Sequence, residues 1–201
     1  MKFKYILILY LIIPTFIFSQ KNYKYSYNEG YLFLKKAQKQ INKNNIKNAR
    51  TLLNKAKDTN YGFCGNAWAS ANSEIKLIEA QILNINKNYD ESLKILESID
   101  GCSYGGNCIK RDSLKVKTLI LKFGKDKVKN AFKNVNMISK IENEDDDEIY
   151  SAFIKDLNYK FNFIRLDILV LDKNGKSLVK NNTDNEFLDI IQNQIFYTLL
   201  E

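Results

Sequence analysis

The residues able to do chemistry are few. The chain has no histidine, three cysteines, 23 carboxylates and 31 Lys and Arg. Without imidazole, Ser-His and Cys-His nucleophile pairs, imidazole proton shuttling and most zinc sites are excluded. Gly105-Gly106 lacks the strand–loop–helix frame of a phosphate-cradling loop. Zinc binding by the three cysteines would need a fourth ligand and closer spacing. No cofactor or metal is expected, and the chain reads as a non-enzyme. One catalytic alternative stays open, a carboxylate-dependent hydrolase, because two acids placed across a cleft need no histidine.

The cysteines are better suited to cross-linking. Cys102 and Cys108 flank a glycine-bearing loop, Ser103 to Asn107, short enough to close on itself. By loop entropy such a bridge contributes only about 2 kcal/mol. Cys64 lies in the corresponding loop one unit earlier, and a bridge from it must span two units. The expected disulfide is Cys102–Cys108, with Cys64–Cys108 as the alternative.

That expectation needs an oxidising compartment, and the start of the chain supplies one. Lys2 and Lys4 precede an apolar run, Ile6 to Phe18, with Ser19 before the polar chain begins. Residues 1–19 therefore read as a secretory signal peptide, too short to span a bilayer. The mature chain is expected in the periplasm, on the outer membrane or outside the cell, with no transmembrane span. Lys2 and Lys4 leave with the leader, so 31 basic residues become 29 against 23 acids, and the charge falls from +8 to +6. Export argues against nucleic acid as a partner. Basic excess favours an acidic partner held by salt-sensitive attraction.

Two stretches forty-three residues apart set the architecture. Segments 36–56 and 79–99 share an Ala-Gln pair (Ala37-Gln38, Ala80-Gln81) and a Lys/Asn turn (Lys43-Asn44-Asn45, Asn86-Lys87-Asn88). Apolar stripes come next at helical spacing: Ile46, Ala49, Leu52, Leu53 and Ala56 against Tyr89, Ser92, Ile95, Leu96 and Ile99. Such self-similarity marks units that bury their apolar faces only against neighbours. A weaker third unit runs from Ser113 to Phe123, then from Val128 to Ile138, around Gly124.

These helix pairs resemble tetratricopeptide repeats over residues 28–140. The family's small eighth position falls on Ala37, Ala80 and Leu119, and its twentieth on Ala49, Ser92 and Ala131. The repeat-ending proline is missing, Lys36, Glu79 and Thr118 stand where Leu is usual, and the units are longer than the family's. The resemblance implies a mainly all-α, right-handed stack of about three antiparallel hairpins. It also implies inward-facing, partner-binding positions at Tyr31, Gln38, Glu74 and Gln81.

Residues 20–27 read as a lead-in, and 141–201 as a helical capping segment. Glu142 to Glu148 holds six acids in seven positions and reads as a solvated linker. Tyr150, Ile154, Leu157 and Phe161 step as a helix, while Asn174-Gly175 between Ile168–Leu171 and Leu178-Val179 fits a β-hairpin near 168–179. Thr183 or Asp184 is the expected cap of a last helix through Phe187, Ile190, Ile191, Gln194 and Ile195.

The expected function is an exported, non-catalytic scaffold that binds a protein or peptide of the cell envelope. A second reading rests on eight basic residues without an acid among them: Lys35, Lys36, Lys39, Lys43, Lys47, Arg50, Lys55 and Lys57. As one patch these would bind an anionic glycan or membrane surface.

Overall fold

An apolar stripe interrupted by a short Lys/Asn turn folds back on itself, and this chain does so twice in the same way. The computed structural model describes residues 22–100, 102, 106–135, 138–141, 149–165 and 185–201. The leader expected over residues 1–19, the acidic run, the hairpin expected near 168–179, and Thr183 and Asp184 lie outside the described residues. Helix α1 (Tyr27–Asn42) pairs with α2 (Ile46–Lys57), α3 (Gly65–Ile85) with α4 (Tyr89–Glu97), and α5 (Cys108–Phe123) with α6 (Lys125–Lys133). Strands β1 (Ser139–Ile141), β2 (Ile149–Ile154) and β3 (Tyr159–Ile164) form an antiparallel sheet in that order. A short helix α7 (Glu186–Ile191) and a 3-10 turn (Ile195–Leu199) complete the chain. The molecule is mostly helical with a small antiparallel sheet.

The first two hairpin turns close on the same backbone frame. Asn44 and Lys87 both take the left-handed conformation, with φ of 56° and 61°. The next residue's amide reaches back to the preceding helix, Asn45 N to Gln40 O at 2.8 Å and Asn88 N to Leu83 O at 2.9 Å. The same two asparagines then open the second helix, accepting at their carbonyls from Ala49 N (3.0 Å) and Ser92 N (3.1 Å). Asparagine tolerates this backbone well; lysine does so at a small cost.

Small side chains set the helix spacing. Ala37, Ala49, Ala56 and Ala80 are wholly buried, as is Ser92, whose hydroxyl donates to Ala80 O at 3.1 Å. Gly30 shows the limit of this close approach. A Cβ there would sit 2.4 Å from Thr59 Cγ2 and 2.8 Å from the Tyr61 ring. Tyr61 is itself buried and donates from its hydroxyl to Ala56 O at 3.0 Å. Burial pushes its phenol up to about 12.

The third hairpin departs from the others. Helix α5 begins at Cys108, five residues before the Ser113 start expected from its apolar stripe, because its first two turns carry buried charge. Arg111, Asp112 and Lys115 are all buried. Arg111 grips the Asp112 carboxylate through Nε (2.8 Å) and Nη2 (3.2 Å), and its Nη1 donates to Ile99 O at 2.9 Å. The ammonium of Lys115 reaches Asp112 and Glu97, each at 3.3 Å, and donates to Asn162 O. Glu97 also accepts from the Tyr159 hydroxyl, and Asp112 Oδ2 accepts from Ile164 N at 2.9 Å. Two positive and two negative groups thus balance, with the Lys115 ammonium donating to Glu97 and Asn162 O and ion-paired with Asp112. Burial holds the Lys115 ammonium below its ordinary range, opposed by Asp112 and Glu97.

This cluster also fixes the course of the chain beyond α6. Residues 150–161, expected as helix, are instead the β2–β3 hairpin, joined by a 3-10 turn (Lys155–Leu157) and the left-handed Asn158. The four-and-three stripe of Tyr150, Ile154, Leu157 and Phe161 coexists with a period of two in Tyr159, Phe161 and Phe163. The strand reading prevails because those rings share one sheet face with Tyr150, Ala152 and Ile154 through the register Tyr150↔Phe163, Ala152↔Phe161, Ile154↔Tyr159. Phe132, Phe161, Phe163, Phe187 and Phe196 then pack ring against ring at 5.3 to 6.0 Å, joining α6, β3, α7 and the last turn. Two other expectations are corrected. Helix α6 stops at Lys133, so Val135 and Ile138 lie beyond it. The cap of α7 is the Asn185 side chain, accepting from Leu188 N at 3.1 Å, and a 3-10 turn replaces helix over Ile195.

The buried ammonium and the buried phenol each have a measurable consequence. Lys115→Met keeps the volume but leaves two carboxylates short of a donor, and is expected to cost about 3 kcal/mol in urea denaturation. Tyr61 is raised on folding, so its contribution is full below pH 10 and is lost as pH rises through about 12. Tyr61→Phe should therefore lose less stability than the parent between those two pH values, measured by denaturation at each.

Candidate functional site

Gln38 on α1 and Gln81 on α3 occupy corresponding places in two successive hairpins, and their amides meet. Gln38 Nε2 donates to Gln81 Oε1 at 2.8 Å, and Gln81 Nε2 returns a bond to Gln38 Oε1 at 3.1 Å. Gln38 Nε2 also donates to Asn42 Oδ1 at 3.3 Å, so Gln81 keeps one N–H and each amide oxygen keeps one lone pair for something else. The pair sits on the wall of a groove of about 630 Å³ that runs across α1, α3 and α5. Glu74, Leu77, Ile109, Lys110, Ser113, Leu114 and Lys117 continue the lining, and Ile195 and Leu199 of the last turn close it.

Its electrostatics are simple. Glu74 accepts from Asn107 Nδ2 at 2.8 Å and pairs with Lys110. Lys117 is exposed and has no acidic partner among the described residues. Ile109 and Ile195 are 41% and 50% exposed, unusually open for isoleucine, and give the groove an apolar surface. It therefore offers two apolar side chains, an amide pair and one uncommitted cation.

The structure brings together three of the four inward-facing residues expected from the sequence: Gln38, Glu74 and Gln81. Tyr31 lies elsewhere. Its hydroxyl donates to Ala67 O at 3.3 Å, and its ring packs on Tyr27 (4.9 Å) and Tyr61 (5.5 Å). The α5 wall and the C-terminal closure were absent from the expected set. Ile109, Ser113 and Lys117 step by four along one face, a signal that becomes legible once α5 begins at Cys108.

The basic stretch does not form one face. Lys35, Lys36 and Lys39 are exposed on α1, Lys43 in the turn after it, and Lys47 at the start of α2. Lys55 lies over the Phe33 ring at 5.6 Å. Arg50 and Lys57 turn to the far side of α3, where Lys57 pairs with Glu79 and Arg50 shares a cleft with Glu79 and Glu91.

Cys102 and Cys108 form a disulfide, with Cα atoms 5.6 Å apart, and Cys64 is exposed and unbridged. The position of the bridge bears on the groove. Cys108 opens α5, and Asn107 before it is held to Ser73 and Glu74 on α3. The bridge therefore anchors the turn that presents Ile109 and Lys110. Among the described residues no helix is long and apolar enough to cross a membrane, and no group of three His, Cys, Asp or Glu could hold a metal ion. No known family, curated protein or solved structure matches the chain.

Reduction of the disulfide should lower stability by about 2 kcal/mol. The backbone amides of Arg111 and Asp112 should lose hydrogen-exchange protection first, while those of α1 and α2 keep theirs.

Proposed function

We propose that the chain is an exported, non-catalytic scaffold of tetratricopeptide-like repeats that binds an extended, acidic segment of an envelope protein in the groove between α1, α3 and α5. The observation that carries this reading is the convergence of Gln38, Glu74 and Gln81, from two repeated hairpins, on one concavity with an apolar surface. An extended segment suits it, because the remaining N–H of Gln81 and the free lone pairs of the Gln38 and Gln81 oxygens match the donors and acceptors of a peptide backbone. An acidic one suits it, because Lys110 is neutralised by Glu74 whereas Lys117 is not, and Lys35 and Lys39 flank Gln38 on α1. The missing histidine supports the non-catalytic part of the reading. The disulfide is compatible with an oxidising compartment.

The test is fluorescence anisotropy of a labelled peptide in which Glu and Leu alternate. Lys117→Glu and Gln81→Ala should each weaken its binding about tenfold, or about 1.4 kcal/mol, and moderate salt should weaken it further. Lys36→Glu and Lys47→Glu should change it little. If those two changes matter and the groove changes do not, attraction by the α1–α2 lysines replaces the groove as the explanation.

A further inference from the structure

The face of α3 turned away from the groove carries a second concavity. On a helix each residue advances by about 100°, so Trp68, Asn72 and Glu79 lie roughly opposite Glu74 and Gln81. Two clefts, of about 230 and 240 Å³, meet at Glu79 and form one furrow along α3. It extends from Trp68 to Leu83, about 22 Å at the helical rise per residue.

What a ligand would meet there differs from the groove. The apolar floor of Leu53, Ile75 and Ile82 is buried. The accessible groups mix polar side chains and one indole with the half-buried Leu83 and Ile95. Asn54 and Asn72 are exposed, and neither side-chain amide has a hydrogen-bond partner among the described residues. The charges are mixed and partly committed: Lys57 pairs with Glu79, and Lys76 donates to Ser98 O. Such a lining gives a charged polymer no consistent sign to follow.

Trp68 is held in advance of any ligand. Its indole N–H donates to Gly62 O at 2.8 Å, and its ring rests against Tyr61 at 5.2 Å and Tyr23 at 5.4 Å. It remains half-buried at the end of the furrow. A fixed aromatic ring beside unpartnered amides suits a neutral, polyhydroxylated chain. The sugar's C–H face packs on the ring while its hydroxyls take the amides.

We propose that this furrow binds a neutral oligosaccharide, with Trp68 as the stacking surface and Asn54 and Asn72 as hydroxyl partners. The site is independent of the peptide groove, and loss of either leaves the other. Trp68 is the chain's only tryptophan, so its emission reports directly on the site. The experiment titrates the protein with chitotetraose, cellotetraose and maltotetraose, reading Trp68 emission and heat by calorimetry in parallel. At least one tetraose should give a saturable emission change that matches the calorimetric curve and is indifferent to salt. Asn72→Ala and Asn54→Ala should each weaken binding about tenfold without altering the thermal melt. No heat with any of the three at about 10 mM would overturn the proposal. So would heat without an emission change, or binding untouched by both asparagine variants.

Discussion

The constraint on which the rest depends is the neutrality of a set of charges, three of them buried and the fourth, Glu97, part-exposed. Arg111, Asp112, Lys115 and Glu97 come from one helix and the end of another, and they are tolerable out of water only while every member keeps its partners. Two of those partners are backbone groups of β3, Ile164 N–H and Asn162 C=O. Asp112 and Lys115 therefore stand where a further strand would, supplying an acceptor and a donor along the side of an outer strand of the described sheet. A sheet edge so occupied is poorly available for pairing with another chain. The same contacts fasten the helical hairpins to the C-terminal segment.

From that anchor the two concave surfaces arise. Helix α5 is held at the height at which Ile109, Ser113 and Lys117 complete the wall begun by Gln38 and Gln81. The last turn, packed through Phe196 on Phe161 and Phe163, closes the groove. Helix α3 lies at the centre, with the groove along one side and the furrow along the other. This explains why its apolar residues do not form a single stripe: it is covered by neighbours on more than one side.

Legibility in the sequence divided along physical lines. Hairpins governed by local pattern could be read, because the Lys/Asn turns and the alanines at 37, 49, 56 and 80 specify their structure within a few residues. So could the Cys102–Cys108 bridge, a short loop with few options. The start of α5 was hidden, since Arg111, Asp112 and Lys115 look like surface residues until Glu97 and β3 arrive to neutralise them. The β2–β3 hairpin was hidden for a different reason. Its apolar residues satisfy a helical and a two-residue period at once, and the decision is made by Phe132, Phe187 and Phe196 from distant segments. Of the groove, the α1 and α3 contribution came from the repeat, whereas the closure by Ile195 and Leu199 depends on tertiary packing.

The reach of the buried contacts along the chain implies an order of assembly. The hairpin turns close over three to five residues, whereas Asn162 meets Glu97 across 65 positions and Ile164 meets Asp112 across 52. Loop closure makes distant pairings slow relative to near ones, so the helical pairs form early and the sheet docks last. Until it does, Lys115 lacks its strand acceptor and the side chains that later surround Phe161 stay wet. A chain leaving a ribosome passes through that interval with its aromatic cluster uncovered, which makes the final docking step the moment of greatest exposure to aggregation.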